Sequence, residues 1–422
     1  MKEKLAEKGG KPIRRTVLNF VPTRADLGKE EIHAVVDVLS SGELSQLAGE
    51  KVHEFEEAFA KYHGADHGIA VSSGTTALHV ALAAAGLGPG DNVVLPPYTF
   101  MATANAVLHQ NCIPVFADVD PRTYTIDPEE VDTIITRKTG AIIPVHMLGQ
   151  PADMQAIMEI AERRNLVVIE DCAQACGAEY RGKKVGTFGD FGCFSFYLNK
   201  HMTTGGEGGM IITSSSKLAK KARSIANHGR VEVSPYSNVP AHNVYTCIGY
   251  NYRMTALQAA MGLVQLGRLN KFIEKRRKNA DYLTRHIKKL IGIKPAYVRK
   301  DVKHVYWAYG ALVTREQLGV SRDRLREALL AEGINSEGYC PIPVHLQSVI
   351  LKKIGYGKTK FPFEYPGQRE KTEYRKGLCP KAEKLSSQDL LLPVYPSLTQ
   401  NDLKDVTSAL DKVATNADRL QD

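Results

Sequence analysis

The amino-acid sequence predicts an α/β protein: a large domain with a mostly parallel sheet covered by helices on both faces, then a smaller α+β C-terminal domain. Three observations carry this expectation. From Gly68 to Thr213 short apolar runs alternate with stretches of helical periodicity, the pattern of strands buried on both faces. Beyond Tyr250 that alternation gives way to longer helical stretches. The chain also has 422 residues, enough for two or three domains.

Residues 1–28 read as an N-terminal arm, Lys-rich and weakly periodic, with Gly9, Gly10 and Pro12. Lys29 to Ser41 and Lys51 to Tyr62 carry apolar residues at helical spacing, such as Ile32, Val35, Val36 and Leu39, with a Ser-Ser-Gly stop between them. Strands are expected at Gly68–Ser72, Asn92–Leu95, Ile113–Ala117, Ala141–Val145, Leu166–Ile169, Phe191–Tyr197 and Met210–Thr213. Helices are expected at Ala77–Ala85, Thr99–Leu108, Pro128–Ile135 and Met154–Arg164. This region, 29–265, forms the expected large domain. The small domain, 266–422, takes part of the stretch Ala256–Lys278, which reads as one long helix or two joined ones, a strand at Tyr306–Val313, and helices at Arg322–Ala331 and Gln400–Val413. Within it, 353–384 is rich in Lys, Tyr, Pro and Gly and reads as a long surface excursion.

Composition excludes some functions. No apolar run approaches the ~20 residues needed to span a bilayer, and the polar, basic start lacks a signal-peptide core, so a cytoplasmic location and no membrane partner are expected. The seven cysteines are odd in number and sit mostly in apolar surroundings, which suits reduced thiols. Cys172 and Cys176 lack a second pair at zinc-finger spacing, so no metal is expected. The net charge of +9 favours anionic partners. Its clusters, Lys275–Lys278 and Lys352–Lys353, come without a nucleic-acid motif and read as solvated helix faces, so no specific nucleic-acid partner is expected.

In a parallel α/β sheet, ligands bind beyond the carboxyl ends of the strands. Three such ends carry chemistry here. Ser73-Gly74-Thr75-Thr76 opens a helix where free N–H groups and the helix dipole favour an anion; the same residues also make an ordinary N-cap. Asp171 closes an apolar strand and can stabilise a protonated heterocyclic nitrogen, or serve as a cap or buried ion pair. Lys200 follows the aromatic run Phe191–Tyr197 and precedes Gly205, Gly206, Gly208 and Gly209. Its amine can form a Schiff base and act as a general base, or merely solvate a strand end. Phosphate cradle, carboxylate and amine are together the three groups that pyridoxal 5'-phosphate requires.

The ordered motifs make the likeness specific. The chain resembles the DegT/DnrJ/StrS family of sugar aminotransferases, fold-type I pyridoxal phosphate enzymes, from about Asn19 to the C-terminal helix. The residues that carry the resemblance are Ser-Ser-Gly-Thr-Thr-Ala-Leu at 72–78, Pro-Tyr-Thr-Phe-Met-Ala-Thr-Ala at 97–104 and Ile-Pro-Val-His at 143–146. They continue with Ile-Glu-Asp-Cys-Ala-Gln-Ala at 169–175, Phe-Ser-Phe at 194–196, Gly-Glu-Gly-Gly at 206–209 and Gly-Tyr-Asn-Tyr-Arg-Met at 249–254.

The resemblance implies that Lys200 carries the cofactor and shuttles the proton, and that Asp171 pairs with the pyridine nitrogen. Gln174 lies against the ring or its 3′-oxygen, and Phe100 stacks on the opposite face. Gly74, Thr75 and Ser195 hold the phosphate, with Asn251 reaching in from the neighbouring subunit of a homodimer with shared active sites. Arg253 grips the donor carboxylate or an anionic part of the sugar, with His201 and Glu207 as further substrate-binding residues. His146 and His345 also fall near site loops.

The implied reaction moves an amino group from glutamate or glutamine to a keto-sugar, either nucleotide-linked or a cyclic keto-polyol such as scyllo-inosose. A sugar dehydratase, an aminohydroxybenzoate-synthase-like enzyme and a non-catalytic regulatory protein are the competing readings. The presence of Lys200, where dehydratase relatives carry histidine, favours transamination.

Overall fold

The computed structural model describes residues 3–22, 25–231, 239–240, 243–365 and 371–420; the rest of the arm, of the 353–384 excursion and of the C-terminus lies outside the described residues. Five strands alternate with helices in the first half: β1 (His67–Val71), β2 (Asn92–Leu95), β3 (Ile113–Phe116), β4 (Thr139–Ile142) and β5 (Val167–Asp171). A short hairpin, β6 (Glu179–Tyr180) and β7 (Lys183–Lys184), precedes β8 (Phe191–Ser195) and β9 (Gly209–Thr213). The main sheet has seven strands in the order β1-β9-β8-β5-β4-β2-β3. Only β9 runs antiparallel to its neighbours, so the carboxyl ends of the other six open on one edge.

The run Phe191–Tyr197 does not stay extended to its end. Pairing of β8 with β9 stops at Ser195 opposite Gly209, and Lys200 N–H closes a turn on the Tyr197 carbonyl at 2.9 Å. Tyr197 and Leu198 are exposed, so no burial extends the strand. Lys200 therefore projects from a turn beyond the sheet rather than from a strand end.

Helix Ala256–Ile287 is 32 residues long and runs across the expected 265/266 boundary. Its far end packs on a second core, Ala280, Leu283 and Ile287 meeting Leu325, Leu390 and Val406. There β10 (Ile293–Pro295), β12 (Tyr309–Val313) and β13 (Asp389–Leu392) form an antiparallel sheet, while β11 (Val302–Lys303) joins the β6–β7 hairpin. Leu5 and Leu18 of the arm are buried in this same core, and Lys412 bonds both the Lys11 carbonyl and the buried Glu332 carboxylate.

The 353–384 segment differs from a free surface excursion. Phe363, Tyr374 and Cys379 are buried in the large core, and the Tyr374 hydroxyl donates to the Pro114 carbonyl on β3 at 2.8 Å. Helix Pro380–Gln388 then leads into β13. Each buried aromatic of this size contributes about 2 kcal/mol, so a few anchors hold the segment although they make no periodic pattern. Among the described residues, no helix is long and apolar enough to cross a membrane.

Candidate active site

Helix Gly74–Ala85 begins at the end of β1, capped reciprocally: Thr76 N–H donates to Ser73 Oγ at 3.2 Å and Ser73 N–H to Thr76 Oγ1 at 3.0 Å. The first-turn amides of a helix have no intrahelical acceptors, which makes Gly74 and Thr75 the available donors. Gly74 also lies flat against β8. A Cβ there would sit 2.7 Å from the Ser195 Cβ, closer than real contacts allow. Gly74→Ala is therefore expected to cost about 1–3 kcal/mol through overpacking, seen as a lower urea midpoint at unchanged m-value.

Strand β5 ends in two carboxylates that face opposite ways, as alternation requires. Glu170 is fully buried and saturated, its carboxylate accepting the N–H groups of Gly186, Phe188 and Gly189 at 2.7–2.9 Å. His146 Nε2 lies 3.1 Å from it, while Nδ1 accepts the Ala152 N–H at 3.1 Å, which places the ring proton on Nε2. Glu170, His146 and Cys172 lie close enough to suggest a metal cluster, yet the carboxylate and both imidazole nitrogens are already engaged in this network. His146 thus supports β5 from beneath and does not enter the cleft.

Asp171 turns to the cleft side. Thr103 donates to its Oδ2 at 2.8 Å and Ala173 N–H to its Oδ1 at 3.1 Å. Burial pushes its pKa up, opposed by these two bonds and by the charge of Lys200. Such a carboxylate is held in place but short of counter-charge, a condition that a cationic ligand nitrogen relieves.

Lys200 Nζ stands 5.0 Å from the Trp307 ring centroid, and the indole is anchored by its own N–H to the Asn199 carbonyl at 3.0 Å. Burial brings the amine down to about 8, with Asp171 opposing the shift. A usable fraction of Lys200 is therefore neutral and nucleophilic near physiological pH. In the protein without bound cofactor, its reaction with an aldehyde probe should accelerate from pH 7 to 9 with an inflection near 8. A midpoint near that of an ordinary lysine would contradict the burial assigned to it.

These groups share one cavity of about 640 Å³. Of the residues expected at the site, Gly74, Thr75, Phe100, Asp171, Gln174, Ser195, Lys200 and Glu207 line it. Phe100 remains 67 % exposed on its wall. Gln174 is clamped at both ends: Leu148 N–H donates to Oε1 at 2.9 Å and Nε2 donates to the Tyr339 hydroxyl at 2.6 Å.

Three expected residues lie outside the cavity of this chain. His201, though next to Lys200, is buried away from the cavity with Nε2 on the Val305 carbonyl at 3.1 Å; consecutive residues of the turn point to opposite sides. Its expected contact with substrate is corrected accordingly. Asn251, whose expected place is the neighbouring subunit's site, and Arg253 lie outside this cavity, Arg253 donating to the Asn227 side chain at 2.8 Å. Alternating with them in the chain, Tyr250 and Tyr252 stack on each other at 4.9 Å and both pack against His79. His345 is also elsewhere, bonded to Glu383 at 3.0 Å.

Sequence reasoning missed Thr103, Trp307, Glu337 and Tyr339, all of which line the cavity. Trp307 is the one tryptophan of the chain, which was the available signal. Glu337 and Tyr339 come from the small lobe, where no periodic pattern marked them.

The pattern of the DegT/DnrJ/EryC1/StrS aminotransferase family matches residues 25–411. A GDP-perosamine synthase of Caulobacter vibrioides is 39% identical over 368 residues, 86% of this chain and 90% of that protein. A putative L-glutamine:3-amino-2,3-dideoxy-scyllo-inosose aminotransferase of Streptoalloteichus tenebrarius is 35% identical over the full length of both chains. The solved structure of NtdA from Bacillus subtilis with bound cofactor PMP is similar in fold, with a TM-score of 0.80 and 30% identity over 95% of this chain and 86% of that one.

Proposed function

The chain belongs to the DegT/DnrJ/EryC1/StrS aminotransferase family, and on that premise we propose that it uses pyridoxal 5'-phosphate to move an amino group from glutamate or glutamine to a keto-sugar. The observation that carries this reading is the convergence of Lys200, Asp171, Gly74, Thr75 and Ser195 on one cavity. Their chemistry fits the cofactor. Because Gly74 carries no Cβ, the helix start lies close against Ser195, so its first-turn amides and the Ser195 hydroxyl can meet one phosphate, and Asp171 lacks a full counter-charge.

Bound there, pyridoxal phosphate supplies an aldehyde for amino groups and a ring that withdraws electrons from the adjoining carbon. The protein's own residues supply the remainder. Ser195 and Thr75 hydroxyls and the Gly74 and Thr75 amides hold the phosphate. Asp171, kept in place by Thr103 and Ala173, holds the pyridine nitrogen in its protonated form. Lys200 Nζ takes and returns the substrate proton, for which a pKa near 8 is matched to working pH. Phe100, exposed on the cavity wall, would offer its ring to the cofactor as an apolar surface, and Trp307 shields the amine from water.

A homodimer completes the site. Among the described residues lining the cavity, Lys200 is the only cationic side chain, so a donor carboxylate finds no guanidinium among them. Arg253 from a second copy supplies it, with Asn251 of that copy reaching the phosphate. The segment 249–254 is suited to this, since the paired tyrosines hold one side of it against His79.

The acceptor is a keto-sugar, nucleotide-linked or a cyclic keto-polyol of the inosose type, in line with the two relatives above. The test is a panel of keto-sugar nucleotides, inososes and 3-keto sugars with glutamate and glutamine, scored by product mass. An amine product from one ketone class, with release of the matching keto-acid, is expected. A cofactor-loaded protein that shows no spectral change with either donor would rule the reading out.

A further inference from the structure

Among the small-lobe side chains that line the cavity, Tyr339 is the one bonded to Gln174, and nothing in the family motifs quoted above marks it. We infer that Tyr339 is a positioning residue for the reaction: it sets the orientation of the Gln174 amide and holds Trp307 over Lys200. This rests on the aminotransferase reading and deepens it.

The orientation of Gln174 is determined by its surroundings. Its Oε1 must accept the Leu148 N–H at 2.9 Å, so the amide nitrogen faces the Tyr339 oxygen at 2.6 Å. An amide nitrogen carries two hydrogens; one goes to Tyr339, and the other remains for a ligand acceptor in the cavity. The Tyr339 hydroxyl accepts this bond, and among the described residues no acceptor is found for its own hydrogen. Tyr339 and Gln174 therefore present two donors beside Asp171, suited to an oxygen anion on the ring.

The contact belongs to a closed circuit spanning both lobes. Leu148, at a φ of 55°, gives its N–H to Gln174 and its carbonyl to the Trp307 N–H at 2.8 Å. Trp307 meets the Tyr339 ring edge-on at 5.7 Å between centroids, and Tyr339 returns to Gln174. The circuit is anchored from the small lobe. Tyr339 N–H donates to Asp389 Oδ2 at 2.6 Å, and Asp389 Oδ1 accepts from Arg322 at 3.0 Å. Asp389 and Arg322 are both buried, and a Cβ on Gly338 would collide with the Arg322 guanidinium. The main chain at 338–339 thus has little freedom, and the phenol is delivered to one place.

The test uses the cofactor-loaded full chain and the conservative variant Tyr339→Phe, alone and combined with Gln174→Leu. Removing the hydroxyl keeps the ring packing, so the thermal midpoint of the cofactor-free protein should stay within a few degrees. The pH midpoint of the cofactor's absorption should move by about half to one unit, with kcat falling about tenfold, as one hydrogen bond to a polar ligand implies. In the Gln174→Leu background, Tyr339→Phe should add little, because one interaction has already been lost. An unmoved absorption midpoint in Tyr339→Phe, or strictly additive effects, would overturn the inference while leaving the aminotransferase reading intact. A wild-type protein that never acquires the cofactor's absorption would overturn both.

Discussion

Replacing Lys200 by alanine should abolish turnover, lowering kcat/KM by at least about 10⁴-fold. It removes both the covalent anchor and the base, and general acid–base catalysis alone is worth up to about 10⁴-fold. The loss is chemical rather than structural. Lys200 makes no side-chain hydrogen bond among the described residues, and its ammonium form is disfavoured by burial, so the variant should fold as well as the parent. Reductive trapping with borohydride checks this directly. Mass spectrometry should find the cofactor on the peptide containing Lys200 in the parent and nowhere in the variant. Retention of more than a few per cent of activity, or trapping at a different lysine, would refute the assignment of this amine.

Asp171→Asn should lower kcat by about 10²–10³-fold, the scale of losing one preorganised electrostatic partner, while leaving the fold undamaged. The asparagine is isosteric, can still accept the Ala173 N–H, and can donate its amide to Thr103, whose hydroxyl already lies 3.0 Å from Thr99 Oγ1. Because burial pushes the Asp171 carboxyl up, removing its charge relieves a desolvation cost. The thermal midpoint of the cofactor-free variant should be unchanged or raised. A variant that loses activity and melts early would point to a structural carboxylate. Activity near that of the parent would remove Asp171 from the mechanism.

The parts of the site legible in the sequence are those attached to the ends of adjacent strands. In a parallel sheet every such strand delivers its carboxyl end to the same edge. Gly74, Asp171, Ser195 and Lys200 therefore had to lie near one another once the alternation of strand and helix was recognised. Gln174, three residues past Asp171, shared that placement. The adjacency of His201 to Lys200 misled for a local reason: the turn after Ser195 sends consecutive side chains to opposite sides, one into the cavity and one toward Val305.

The chain by itself thus determined the sheet, its open edge and the amine, carboxylate and phosphate cradle that meet there, because each depends on local periodicity and on a few turn residues. Tertiary structure alone decided what surrounds Lys200. Trp307 and Tyr339 arrive from over a hundred residues away, delivered by a lobe whose anchors, the Asp389–Arg322 pair and the aromatics of the 353–384 segment, leave no periodic trace. Packing between lobes brings such residues together without requiring any pattern along the chain. Beside the lysine, those long-range contacts set how dry the amine is and which way Gln174 faces.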